Sequence, residues 1–121
     1  MAPKKRQKFR YLPAFVLLVL AEGQAHGGAV HTALKKALPV FDADTGAVYR
    51  TLQQLEQEGE VEATWVTTGP GPARKIYRLT PAGWRKLDYW RQDIELRLAN
   101  LNYFLQTYGR LKKPSPKHKK T

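Results

Sequence analysis

The segment Thr45–Gly59, T-G-A-V-Y-R-T-L-Q-Q-L-E-Q-E-G, sets Tyr49, Arg50, Gln53, Gln54 and Gln57 among apolar residues at Val48, Leu52 and Leu55. The three-and-four spacing gathers the apolar residues on one helical face and leaves the polar ones on others, free of a core. These polar types bond to base edges and to phosphates; an arginine guanidinium matches guanine bidentately, so Arg50 is the strongest base-edge candidate. Downstream, Gly69-Pro70-Gly71-Pro72 leads into Arg74 and Lys75. A glycine- and proline-rich tip lets a backbone lie close to a duplex, and the two cations after it have the reach for phosphates or the minor groove.

A helix must present the first group and a hairpin the second. Asp44 or Thr45 suits the N-cap of the helix, and Gly59 supplies the left-handed residue that commonly ends one. Two strands, Val61–Thr67 and Arg74–Leu79, are expected next, with Val61, Ala63 and Trp65 alternating against Glu62, Thr64 and Val66. Upstream, Phe15, Leu18 and Val19 with Leu17 and Leu20 mark a core helix over about residues 13–22, opened by Pro13 and closed by Gly23. Gln24-Ala25-His26 reads as a connection, with His26 as a turn or capping residue. A second helix over about 27–37 places Val30 and Leu34 inside and puts Lys35 and Lys36 in its last turn, favourable at the negative end of a helix and within reach of DNA. The expected fold class is mainly α with a small β-hairpin: a helix-turn-helix with one supporting helix and a wing.

Thr80-Pro81 then opens the longest periodic stretch in the chain. Trp84, Leu87, Arg91, Ile94, Leu98, Leu101, Leu105 and Tyr108 fall at intervals of three and four. Only Arg91 interrupts this heptad seam, and so long and wide an apolar stripe predicts pairing with a second copy through Leu87, Ile94, Leu98, Leu101 and Leu105. The expected organisation is a basic arm over 1–11, a winged helix-turn-helix over 12–80, a dimerisation helix over 81–109 and a basic tail over 110–121.

Charge supports this reading with a qualification about where it sits. The net charge is +11, yet residues 1–10 and 112–121 each hold five lysines and arginines and no acid, which leaves +1 for residues 11–111. Sequence-independent phosphate attraction would come from the arms, and sequence preference from a nearly neutral body. The absence of cysteine excludes disulfides and thiolate metal sites, and the three histidines form no ligand cluster. Phe15–Ala21 is too short for a membrane span and lacks a cleavage site after it, so a cytoplasmic, nucleoid-associated location is expected. There is no glycine-rich phosphate loop and no nucleophile elbow, and the run Glu56, Glu58, Glu60 and Glu62 reads as a solvent face. No enzyme, cofactor or metal is expected.

Three stretches carry a resemblance to the PadR-like transcriptional regulators, covering residues 12 to 108. Leu17 to Gly23 with His26-Gly27 is similar to that family's first helix and turn. Gly46-Ala47-Val48-Tyr49 leading to Leu52, Leu55, Glu56, Glu58 and Gly59 resembles its recognition helix. Arg74 to Thr80 with Ala82-Gly83 resembles its second wing strand and the start of its last helix. The resemblance implies a dimeric repressor on an inverted-repeat operator in double-stranded DNA, beside its own or a neighbouring gene. It also implies a last helix that makes the dimer and an aromatic or drug-like effector in a cavity at the dimer centre. Trp84 and Trp90 are candidates for lining that cavity, or belong to the core. Tyr49, by the same resemblance, turns its hydroxyl to the operator, or packs beneath the helix. The chain departs from the family's pattern at Gly28, where an aromatic residue is usual, and at Asp44-Thr45, where Ser-Pro is usual; Asp42 and Asp44 add negative charge at the recognition helix's leading end. Two other readings compete: an architectural or RNA-binding protein acting through its tails, and an adaptor whose winged helix no longer binds DNA.

Overall fold

The computed structural model describes residues 10–67 and 69–114. In chain order the elements are α1 (Leu12–Glu22), β1 (Ala25–His26), α2 (Gly27–Ala37), α3 (Thr45–Gln57), β2 (Val61–Val66), β3 (Arg74–Leu79) and α4 (Pro81–Arg110). The chain divides into two compact units, one ending at Trp90 and the other beginning at Arg91. The first turns of α4 therefore belong to the winged unit, and the boundary expected at 80/81 falls ten residues later. Most of the basic arm and the end of the basic tail lie outside the described residues.

In the first unit α1, α2 and α3 pack pairwise around Leu17, Leu52, Val16, Val30 and Val48, which have almost no exposed surface. Burying each such side chain is worth roughly 1.5–3 kcal/mol, the main force that holds α3 against its supports. Val61 and Tyr77 extend this core onto the sheet, and Leu87 and Trp90 pack against it from α4. Leu87, expected in the seam between copies, is thus a contributor to its own domain's core.

The sheet is antiparallel in the order β1-β3-β2, with Val61 opposite Leu79 and Val66 opposite Arg74. The segment expected to be a plain connection supplies the third strand, Ala25 pairing with Tyr77 and His26 with Ile76. Two residues have no period for a sequence pattern to reveal. Trp65, which shares its side of the alternation with the buried Val61, is 66% exposed. Along β2 burial falls away after Val61, with only Ala63 half-buried beyond it, so the alternation does not separate core from solvent at Trp65. Gly59 adopts φ +77° and turns the chain out of α3 as expected.

That turn also overturns the reading of the acidic run as one solvent face. Glu60 is only 8% exposed. Its backbone is fastened on both sides, its N–H to the Leu55 carbonyl at 2.9 Å and its carbonyl to the Thr80 N–H at 3.2 Å. The Thr80 hydroxyl donates to the Gly59 carbonyl at 2.6 Å and accepts from the Gly83 N–H at 3.1 Å, capping α4 where it meets the end of α3. Gly83 is required there: a Cβ would overlap the Glu60 carbonyl oxygen and lie 2.9 Å from a Leu79 methyl.

In the second unit α4 carries Leu98 and Leu105 at 52% and 65% exposure, with Leu101, Tyr103 and Phe104 likewise exposed. Ile94 is half-buried. Arg91, the residue that interrupts the seam, bonds Glu95 at 3.1 Å one turn on.

Candidate nucleic-acid interface

The N-terminus of α3 is capped by Asp44, whose Oδ1 accepts from the Ala47 N–H at 2.8 Å. The carboxylate that departs from the family's pattern thus stabilises the helix start, by about 1 kcal/mol for a cap of this type. Ala47, Val48, Leu52 and Leu55 are buried on one side of the helix. Gly46, Arg50, Gln53 and Gln57 form the exposed ridge opposite, with Thr45 exposed at its leading end. The Arg50 guanidinium lies back along that ridge, Nη1 3.2 Å from where a Cβ on Gly46 would stand. Gln54 sits to the side, its amide donating to Glu58 Oε2 at 2.6 Å, and is not part of the ridge.

On the other flank the Tyr49 ring lies directly on the start of α2. A Cβ at Gly27 would come within 2.6 Å of Cζ and 2.8 Å of Cδ1, so the pair Gly27 and Tyr49 is a close-packed joint between helices. The side chain is nevertheless 44% exposed. The packing reading of Tyr49 therefore describes its ring, while the residue keeps close to half of its surface exposed.

His26 draws the wing into the same neighbourhood. As N-cap of α2 its Nδ1 accepts from the Ala29 N–H at 3.2 Å, while Arg74 Nη1 stands 2.8 Å from Nε2. Both neighbours are donors, and a neutral imidazole has one acceptor nitrogen. The two contacts cannot both be full hydrogen bonds at once, so the imidazole serves either the cap of α2 or the wing's Arg74. Lys75 contrasts with it. Its ammonium bonds Glu56 Oε1 at 3.0 Å and lies over the rings of Trp65 and Tyr77 at 5.9 and 5.4 Å. The Glu56 carboxylate holds Lys75 above the ordinary lysine range. Lys75 thus ties the wing to α3, a role sequence spacing did not suggest for a pair 19 residues apart.

The structure therefore brings Arg74 to His26 and seats Tyr49 against Gly27, the residue that follows it. Lys35 and Lys36 are exposed in the last turn of α2. Trp84 and Trp90 are not brought together: Trp84 is exposed, and Trp90 packs against the core and edge-on against Tyr11. His26 is the residue that sequence reasoning placed correctly as a cap but did not connect to the wing. Its partner lies 48 residues away, across a strand pairing too short to foresee. Among the described residues no helix is long and apolar enough to cross a membrane.

The family model described as the transcriptional regulator PadR-like family matches residues 16–89. A PadR-like transcriptional regulator from Bacillus cereus is similar at 26% identity, with a TM-score of 0.71, over 83% of this chain and 97% of that one. A PadR family transcription regulator from Clostridium difficile shares the fold at 20% identity and a TM-score of 0.70, over 78% of this chain and 98% of that one. Bacillus subtilis PadR, solved in complex with operator DNA, is similar at 26% identity and a TM-score of 0.63. That match covers 68% of this chain and 47% of the Bacillus subtilis chain. A search among curated proteins found no significant match.

Proposed function

Because the chain belongs to the PadR-like family of transcriptional regulators, we propose that it is a homodimeric, sequence-specific repressor of its own or a neighbouring operon. It acts by occluding promoter DNA at an inverted repeat. The observation that carries this reading is the α3 ridge: Arg50 and Gln53 stand exposed on a helix whose opposite face, Ala47, Val48, Leu52 and Leu55, is buried. The helix enters the major groove with Arg50 and Gln53 toward base edges, and Thr45, Tyr49, Lys35 and Lys36 take phosphates. Arg74 leaves its imidazole partner for a phosphate, which offers an acceptor of full negative charge. Lys75 holds the wing in place, and Gln54 with Glu58 sets the flank of the ridge. Ile94, Leu98, Leu101 and Leu105 bring a second copy alongside, so that two ridges read two half-sites. The complex of Bacillus subtilis PadR with operator DNA supports the partner. An aromatic effector at the dimer centre, against Trp84, relieves repression.

Competition binding near physiological salt tests the proposal, with DNA from upstream of this protein's own gene against scrambled DNA of equal composition. Specific recognition exceeds nonspecific binding by about 10³ or more. Arg50→Ala is expected to lower operator affinity about tenfold or more while leaving scrambled DNA nearly unaffected. Equal loss on both DNAs reassigns Arg50 to phosphate contact. A wild-type ratio near one on this and other genomic DNA refutes sequence reading and favours binding by the basic tails, which carry ten of the eleven net charges. Truncation to residues 11–111 then removes all binding.

A further inference from the structure

His26 stands where β1 becomes α2, paired with Ile76 across the sheet. Its two ring nitrogens face two donors: the Ala29 N–H of α2, 3.2 Å from Nδ1, and the Arg74 guanidinium of the wing, 2.8 Å from Nε2. A neutral imidazole accepts at one nitrogen, and an imidazolium, with a hydrogen on each, accepts at neither. A single added proton therefore ends both contacts. It also sets a second cation beside Arg74, at the positive end of α2, which favours anions. His31, further along the same helix, responds differently. Its Nε2 lies 3.0 Å from the Ala43 carbonyl, which can only accept, so that nitrogen carries a hydrogen in the neutral and the protonated ring alike. Acid thus leaves the turn ahead of α3 tied to α2 and frees the arginine of the wing.

The groups around His26 do not cancel the added charge. A concavity of about 430 Å³ is lined by His26, Arg74, Val66, Ile76 and the turn at 70–72, with no acid among these residues. The first turn of α2 holds no acid. From α3 comes the Tyr49 hydroxyl, 3.9 Å from where a Cβ on Gly28 would stand, with His26 Cε1 3.1 Å from the same point. On β2 the Glu62 carboxylate pairs with Arg78 at 3.0 Å, and Lys75 of β3 is bonded to Glu56 on α3.

We propose that His26 is a proton-operated latch that positions the wing's Arg74. Neutral, the imidazole detains the guanidinium on the sheet; protonated, it releases it and stands beside it as a second cation, so the wing grips phosphate more strongly in mild acid. Histidine is the side chain that ordinarily changes charge between about pH 5 and 8. The latch is a property of the DNA-free chain, and its effect on DNA rests on the reading of Arg74 as a phosphate contact.

The test is a titration of the full-length labelled protein from about pH 7.5 to about pH 5.5, following the His26 ring, the Arg74 Nε–H and the Ala29 amide by NMR. All three signals are expected to move with one midpoint. In His26→Asn the side-chain oxygen keeps the cap but takes no proton, so Arg74 and Ala29 should stay in place. A His26 ring that does not titrate in this range overturns the proposal, as does an Arg74 signal that is stationary while the ring titrates or that moves equally in His26→Asn. Should His26→Asn fail to fold, the midpoints in the unaltered protein decide. The second arm is binding of scrambled duplex DNA at low salt, which requires no operator. The same acid step should raise the affinity of the unaltered protein about threefold more than that of His26→Asn, which retains His31 and His118. Shared midpoints with no such gain support the latch and overturn the reading of Arg74 as a phosphate contact.

Discussion

Replacing Gly83 by alanine sets two effects of opposite sign against each other. In a helix interior, alanine is favoured over glycine by about 1 kcal/mol, so propensity alone predicts a more stable protein. Position 83 is closed, however. The new methyl would overlap the Glu60 carbonyl oxygen, stand 2.9 Å from a Leu79 methyl and 3.2 Å from the Glu60 carbonyl carbon. The oxygen is backbone and is held by the Thr80 N–H at 3.2 Å, so it cannot swing away as a flexible side chain would. Relief requires the first turn of α4 to withdraw. That stretches the Thr80 bonds to Glu60 and to Gly59, each worth about 1 kcal/mol. Residual overpacking adds roughly 1–3 kcal/mol. After subtracting the propensity gain, Gly83→Ala should destabilise the protein by about 2–4 kcal/mol, a fall in Tm of roughly 10–15 °C. Urea and thermal unfolding followed by circular dichroism measure this, at one fixed protein concentration because self-association would shift the midpoint. Gly109→Ala is the internal comparison. No atom lies within 4 Å of its Cβ position on the same helix, so it should be neutral or stabilising by up to about 1 kcal/mol. Equal effects of the two substitutions, or a rise in Tm for Gly83→Ala, would refute the claim that α4 is seated on the Glu60 carbonyl.

Glu60→Gln should stabilise the protein at pH 7, because it removes a carboxylate whose pKa burial raises above the ordinary 4.5. The sign follows from linkage: a raised acid favours the folded state while protonated, and this advantage is lost as pH climbs from about 4.5 through the folded value. The gain from Glu60→Gln should therefore shrink below pH 4.5, and urea titrations at pH 7 and pH 4 showing no difference would count against the burial of this charge. Asp44→Ala should cost about 1 kcal/mol through loss of the cap on Ala47, and an unchanged urea midpoint would show that the cap contributes nothing. Leu98→Glu puts a charge on the exposed α4 stripe and should leave a folded monomer; sedimentation of a dimer at micromolar concentration would exclude that stripe as the interface.

What could be read from the chain beforehand follows the range of the interactions concerned. Helix α3 was legible because Val48, Leu52 and Leu55 repeat at helical spacing, and its end because Gly59 has few other uses. The choice between Asp44 and Thr45 as cap was open in sequence, since both side chains can accept, and geometry selects Asp44. The seam residues on α4 were visible as a period, but the period does not say which turns face the chain's own core; Leu87 does. Glu60 was misjudged because three of its acidic neighbours alternate with it, and a left-handed residue just before it breaks the alternation. Interactions that depended on distant segments left no local trace. The pairing of His26 with Arg74, the tie between Lys75 and Glu56, and the two-residue strand β1 belong to that group.

The fastening at Glu60 also bears on how the molecule opens. Its N–H answers to the last turn of α3 and its carbonyl to the residue that caps α4, while Val61 begins the hairpin. A fluctuation that frees any one of these elements must break bonds belonging to the others, so the amides of Glu60 and Thr80 should exchange with solvent hydrogen at one common rate, well below that of the wing tip. The ridge that faces outward on α3 is thus part of a single cooperative block with the root of α4.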